Sequence, residues 1–381
     1  MRACCQRTAL AQRSAGALRS EQPAATSGGL APSRTAERGN LGLELVRTTE
    51  AAALSAGRWM GNLDREGIRS TAAGAMWEAL HSIHMHGTIV VGDDPASMPL
   101  AVGELAGDGT GGECDVALKA IDGSTLVAKG LPNAVSVIAT AERGSLVRAP
   151  AGMYAEKIAV GPEARGSVDV TDSVENNLQR VAFAKKVQVS DLTVVMLDRP
   201  RHESLMEQVR QIGARITLLS DGDIAAAIMA TLEGTGIDVM LGVGGLPEAV
   251  LAACALKCLG GDLQCRLWLR SREEEDKARA AGFEDLRRVY AVDDLVRGED
   301  VAFAATGVTD GEFLHGAIYH HFWAETESMV FRSKSGTIRH LTTKHHYALK
   351  SVEGVHRTVR SGSGQIVQIG MPRLTGRPNV D

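Results

Sequence analysis

The sequence predicts an α/β protein, with a parallel or mixed sheet covered by helices. Past residue 187, short β-branched apolar runs alternate with helical stretches, which is the rhythm of βαβ units joined by brief connections. Clusters of Asp, Arg and Gly follow directly on those runs, where α/β sheets usually carry their ligand sites. The 381 residues, 44% of them hydrophobic and 23% charged, suffice for one large or two medium cores.

Along the chain, Leu43, Leu45, Val46, Ala52, Leu54 and Met60 recur near a helical period over 41–61, and a second helical stretch covers 71–80. Residues 87–92 are a β-branched run between glycines, and 115–118 and 134–139 repeat the pattern. Strands are then expected at 192–197, 215–219 and 238–243, and helices at 202–213, from Asp221 to about Leu232, and through Leu259. The run Arg272 to Arg279 is charged and reads as a solvated helix. With no internal repeat and no Gly/Ser linker, two tightly packed α/β subdomains are expected at 40–186 and 187–352, with a tail at 353–381.

Several classes are excluded. No run of 18 apolar residues exists, so no helix crosses a membrane. A net charge of −5 without a basic, aromatic-interleaved stripe leaves no footprint for nucleic acid. Six cysteines are too sparse for a disulfide framework, and Cys254 and Cys258, four apart on an apolar helical face, read as buried thiols. Residues 1–39 differ from the rest. Six arginines stand there against Glu21 and Glu37 among Ala, Ser, Thr and Gly, the composition of an organellar transit peptide; a disordered tail or an upstream false start is the alternative.

The segment Asp122-Gly123-Ser124, four residues after Leu118, resembles the D-P-[I/L]-[D/E]-G-[S/T] signature of metal-dependent sugar phosphatases, with Lys119 where the first aspartate belongs. Further matching stretches are 41–45, 57–61, 83–92, 198–202, 219–223, 244–248 and 305–309. In this order they make the chain similar to the class II, bacterial-type fructose-1,6-bisphosphatases, and particularly to the branch that also hydrolyses sedoheptulose-1,7-bisphosphate. The resemblance implies a layered αβαβα sugar-phosphatase fold of the metal-dependent, lithium-sensitive superfamily. It also implies hydrolysis of the C1 phosphate by a metal-activated water, in gluconeogenesis or the Calvin cycle, with Mg²⁺ or Mn²⁺ as cofactor. Dimers or tetramers are the usual assembly, and plastid stroma the favoured address, with mitochondrion or cytoplasm as alternatives.

Carried over residue by residue, Asp93, Asp122 and Glu248 fall on metal-ligand positions, whereas Arg69 and Lys119 stand where two further carboxylates belong. Asp122, Ser124 and Glu248 are the implied catalytic set, Ser124 replacing a threonine that orients water. Gly123, Ser124, Tyr154, Arg199, Arg201, Asp221, Asp223 and Gly245 fall on sugar-bisphosphate contacts, and Arg65 lies near a phosphate-facing lysine position. Taken alone, Asp221-Gly222-Asp223 reads better as a turn and helix cap, and Arg199-Pro200-Arg201 as surface charge; only the joint match lifts both. Reversing two of five ligand charges also opens an alternative: a catalytically impaired paralogue that binds sugar bisphosphate, or pairs with an active sister chain. His81, His84 and His86 resemble a metal cluster but read better as a helix end and strand start, and His320-His321 and His345-His346 read as structural.

Overall fold

The computed structural model describes residues 41–93 and 100–347, together with the backbone of two paired strands at Arg357–Arg360 and Ile366–Ile369. The Arg-rich segment and most of the C-terminal tail lie outside the described residues, as do Cys4, Cys5, Asp94 and Pro95.

Two helices open the described chain, Leu41–Gly57 and Arg65–Leu80. The second begins where the Asp64 carboxylate accepts the Gly67 amide at 2.9 Å, satisfying one of the free amides of the first turn. Strands β1 (His86–Val91), β2 (Leu105–Ala106), β3 (Glu113–Asp122) and β4 (Val135–Glu142) follow. They join β11 (Ala302–Gly307), β12 (Ile318–Tyr319), β13 (Trp323–Arg332) and β14 (Thr337–His346) in one sheet, ordered β12-β13-β11-β4-β3-β1-β2 with β14 on β13. The second sheet runs β10-β9-β5-β8-β6-β7. Its strands are β5 (Tyr154–Val160), β6 (Thr193–Leu197), β7 (Arg215–Leu219), β8 (Val239–Gly245), β9 (Asp262–Leu267) and β10 (Val289–Ala291). It is mixed: β6 runs parallel to β7 and β8, whereas β5 is antiparallel to β8 and β9.

Three apolar cores define the layers. Helices Leu41–Gly57 and Arg65–Leu80 bury Leu45, Ala52, Ile68 and Met76 against Val116, Leu118, Ile138 and Ala304 of the first sheet. Helices Asp223–Met229 and Leu246–Leu259 lie between the sheets, with Ile224, Val250 and Ala253 packed among Val137, Ala139, Phe303, Ala155 and Val195. Outside the second sheet, Leu178, Val181, Met206 and Val209 of helices Val174–Lys185 and Glu203–Ile212 cover Ile158, Val194 and Met196. The order helix, sheet, helix, sheet, helix is the αβαβα sandwich expected. Between Glu248 and Lys257, helix Leu246–Leu259 is apolar on every side, Ala249 through Leu256, because it is the filling between two sheets.

The expected division near residue 187 does not follow sheet membership. Strand β5 precedes it yet sits in the second sheet, and β11 to β14 return to the first. Other expected elements differ mainly in their ends: the strand placed at 115–118 spans Glu113–Asp122, and the helix from Asp221 covers only Asp223–Met229. Helix Arg272–Ala280 buries only Ala278, as a solvated helix should.

Candidate functional site

The end of β3 sets the site. Lys119 pairs with Val137 on β4 and Asp122 pairs with Val135, three residues on one strand against two on the other. In an unbroken strand, residues three apart face opposite sides. The extra residue of this bulge cancels that alternation, so Lys119 and Asp122 share a face. The strand then turns through Gly123, in left-handed backbone at φ 87°, into the short helix Ser124–Lys129. A Cβ at Gly123 would also stand 2.7 Å from the Leu126 side chain.

The second sheet supplies the other wall. Gly244 and Gly245 end β8, and a side chain at either would displace a carboxylate. A Cβ at Gly244 would lie 1.8 Å from the Asp223 carboxylate, and one at Gly245 would lie 1.8 Å from that of Glu248. Gly245 was expected to admit a close backbone approach by a ligand; the group it makes room for is the chain's own Glu248. Asp223 and Glu248 occupy the first turns of the two middle-layer helices.

Between these walls lies a cavity of about 300 Å³. Its lining brings together Asp122, Gly123, Ser124, Tyr154, Arg199, Arg201, Asp221, Asp223, Gly245 and Glu248, with Arg65, Arg69 and Lys119. Asp93 is the exception among the expected residues. It is buried behind the lining, where its Oδ2 accepts the Ala120 amide at 3.3 Å.

Two lysines clasp the carboxylates. The Lys119 ammonium donates to Glu248 Oε1 at 2.6 Å. Lys157, on β5, is 2% exposed and donates to Asp223 Oδ2 at 2.6 Å and to the Gly245 carbonyl at 2.9 Å. Lys157 was not expected from sequence. The available signal was a lone lysine inside the strand Tyr154–Val160, where an unpaired ammonium would be costly to bury. Asp223, expected to hold a sugar hydroxyl, is therefore already engaged, and no side-chain cap accompanies the turn at Gly222.

The guanidinium of Arg201 is also anchored. It donates twice to the Val243 carbonyl, at 2.7 and 3.1 Å, and lies 5.5 Å from the Tyr154 ring centre. Arg199 reaches Asp221 at a loose 3.7 Å. Tyr154 meets Trp268 edge-on, and Arg270 stacks over both rings.

Burial drives the electrostatics. It raises the Asp122 carboxyl well above its ordinary value, and the neighbouring carboxylates of Asp223, Asp221 and Glu248 push the same way. Asp93 and Asp223 are likewise raised by burial, opposed by Lys119 and Lys157 respectively. Burial would raise Glu248 too, but the ammonium charges of Lys119 and Lys157 outweigh it and hold this acid below its ordinary range. Burial penalises the Lys119 charge, yet Glu248, Asp93 and Asp122 together hold its pKa above the usual value, so it stays an ammonium.

The other clusters are structural. His81 donates from Nδ1 to the Trp77 carbonyl at the helix end, and His345 lies buried against Thr326 and Glu50. The Cys254 thiol is buried and its pKa raised by that burial, and Cys258 is pushed up to about 12 for the same reason, which leaves neither a reactive thiolate.

A layered αβαβα sandwich holding an acidic-and-basic cavity between its two sheets defines a sugar-phosphatase scaffold. The chain belongs to the class II, bacterial fructose-1,6-bisphosphatases: the profile described as "Bacterial fructose-1,6-bisphosphatase, glpX-encoded" matches residues 39–345. It is 40% identical over 332 residues to the D-fructose 1,6-bisphosphatase class 2/sedoheptulose 1,7-bisphosphatase of Synechococcus sp. (strain JA-3-3Ab), covering 80% of this chain and 95% of that protein. It is 38% identical over 323 residues to the fructose-1,6-bisphosphatase class 2 of Haemophilus influenzae, covering 80% and 96%.

The family is metal-dependent, so the fit of this site to a divalent ion can be tested on its donors. Such an ion needs several hard oxygens converging on one point. Among the described residues, no group of three or more His, Cys, Asp or Glu side chains stands together in that way. Glu248 is taken by Lys119, Asp93 faces the Ala120 amide, and Asp122 Oδ2 accepts the Ile224 amide at 3.2 Å. A doubly charged ion ~4 Å from one ammonium meets about 8 kcal/mol of repulsion at an effective dielectric near 20. As arranged, these residues do not fit the ion.

Proposed function

We propose that this chain is a sugar-bisphosphate phosphatase that binds fructose-1,6-bisphosphate and hydrolyses its C1 ester. One observation carries the reading: a single cavity receives cationic side chains from both sheets, with carboxylates among them. A bisphosphate presents two anionic groups joined by hydroxyl-bearing carbons. Arg199 and Arg201, after β6, suit one phosphate; Arg65, Arg69 and Lys119, from the first-sheet side, suit the other. Asp221 suits a sugar hydroxyl, while Tyr154 and Arg270 wall the entrance.

In this reading water attacks the phosphorus opposite the C1 oxygen. Asp122, a buried carboxylate at the end of β3 that lines the cavity, accepts the water's proton. Lys119 and Arg69 balance the charge gathering on the phosphoryl oxygens. The bond between phosphorus and the C1 oxygen breaks, that oxygen takes a proton from solvent while Asp122 later returns its own to solvent, and fructose 6-phosphate and inorganic phosphate leave. Ser124, at the first turn after Gly123, steadies the attacking water.

The test is phosphate release from fructose-1,6-bisphosphate by the full chain, run with Mg²⁺, with Mn²⁺ and with EDTA. Asp122→Asn should lower the rate by about 10²–10⁴-fold, the usual loss for a general base, while bisphosphate binding survives. Binding without release under any of the three conditions would refute hydrolysis and leave a chain that holds sugar bisphosphate or joins an active sister subunit. Sedoheptulose-1,7-bisphosphate is the second substrate to assay, since a relative carries that activity in its name. We also propose that residues 1–39 act as an organellar address, plastid before mitochondrion, on their Arg-rich, acid-poor composition. A fluorescent fusion left in the cytosol would refute it.

A further inference from the structure

We propose that Lys119 is the resident cation of this site, so that the chain holds a phosphate ester without a divalent metal ion. The inference rests on the cavity being the sugar-bisphosphate site. Its geometric basis is the bulge that turns Lys119 onto the face of Asp122, and the 2.6 Å contact that commits the ammonium to Glu248. Lys119 is partly exposed, whereas Ala117 and Leu118 beside it are fully buried. Its head group therefore reaches the cavity from a stretch of β3 in which the neighbouring Ala117, Leu118 and Ala120 are packed away.

Charge counting supports the assignment. The lining contains five cationic side chains, Arg65, Arg69, Lys119, Arg199 and Arg201, against four carboxylates, Asp122, Asp221, Asp223 and Glu248. With every group ionised, the excess is one positive charge. A cavity that must wait for a metal has the opposite balance, since carboxylates alone would repel a phosphate dianion. Here the positive partner is already covalently attached to β3. When the ester binds, the ammonium can share its three donors between Glu248 and a phosphoryl oxygen, and Arg69 stands in the same lining to take another.

Two measurements on the full chain test this. The first titrates Mn²⁺ alone into metal-stripped protein, followed by paramagnetic resonance. Wild-type protein should show no saturable binding below millimolar concentration. Lys119→Asp should bind Mn²⁺ at least about tenfold tighter, because changes in the outer shell alone already move metal affinity by about 10- to 100-fold. The second measures fructose-1,6-bisphosphate binding by calorimetry in EDTA and in Mn²⁺. The two dissociation constants should agree for wild type, and Lys119→Met should weaken both.

Tight Mn²⁺ binding by the wild type would overturn the proposal, without dependence on any variant folding. Bisphosphate binding that vanishes in EDTA would also overturn it. Failure to bind the bisphosphate under either condition would instead defeat the substrate assignment, and the Mn²⁺ titration would still decide the role of Lys119.

Discussion

Replacing Lys157 with methionine isolates the deeper of the two ion pairs. Lys157 and Asp223 are 2% and 5% exposed and 2.6 Å apart. Methionine fills nearly the same volume but leaves the Asp223 carboxylate buried without its counter-charge, close to Glu248. Removing one partner from a buried pair costs about 3–5 kcal/mol. Burial already raises Asp223, and Lys157 is the main influence opposing it, so the variant's Asp223 must rise further. The sign follows from that rise. A carboxyl whose folded pKa exceeds its unfolded value favours the folded state below the unfolded value, near 3.9, and that contribution is lost as pH climbs through the folded value. The penalty of Lys157→Met should therefore be larger at neutral pH than at pH 4. Adding Asp223→Asn removes the orphaned charge, so the double variant should recover much of the loss and show little pH dependence. Urea unfolding of the full chain, followed by tryptophan fluorescence at several pH values, reads all three proteins. A single-variant loss below about 1 kcal/mol at pH 7 would refute the reasoning, since buried pairs cost more than that to break. So would a loss that persists undiminished at pH 4.

Three further outcomes follow from the same geometry. Asp122→Asn should raise the melting temperature at pH 7 and lose that advantage as pH falls towards 4, because the wild-type carboxyl is raised by burial and by three neighbouring acids; a larger gain at acid pH would contradict it. Gly245→Ala should displace the Glu248 carboxylate, whose Oε2 would be 1.8 Å from the new Cβ, and cost about 1–3 kcal/mol as an overpacked site does; thermal unfolding checks it. Gly74→Ala is the control, since a Cβ there meets nothing within 4 Å in the middle of helix Arg65–Leu80. It should stabilise by about 0.4–1 kcal/mol.

Much of this architecture was legible in the residues. The apolar, β-branched runs of β6 and β8 and the Ala-rich, mostly apolar helix after Gly245 announce a sheet covered on both faces, and the ordered motifs extend the picture to the layered sandwich. The cavity lining was legible too, except at Asp93, because strand ends and the turns after them carry the charged residues in any such fold. What could not be read was pairing across the layers. Nothing local to Lys157 says that it meets Asp223, 66 residues later, in the first turn of a middle-layer helix. Nor does spacing reveal the bulge in β3: a strict alternation puts Lys119 and Asp122 on opposite faces, and only the register with β4 reverses that. Sheet membership failed for a similar reason, since β5 and β11 each pair with strands distant in the chain.

The two lysine clasps have a mechanical consequence. Lys119 rises from the first sheet to the helix that starts at Leu246, and Lys157 rises from the second sheet to the helix that starts at Asp223. Each sheet is thus tied to the filling of the sandwich at the rim of the pocket by one close ion pair. Loosening either tie would free that sheet to shift against the middle layer, so the width of the mouth depends on two contacts of 2.6 Å.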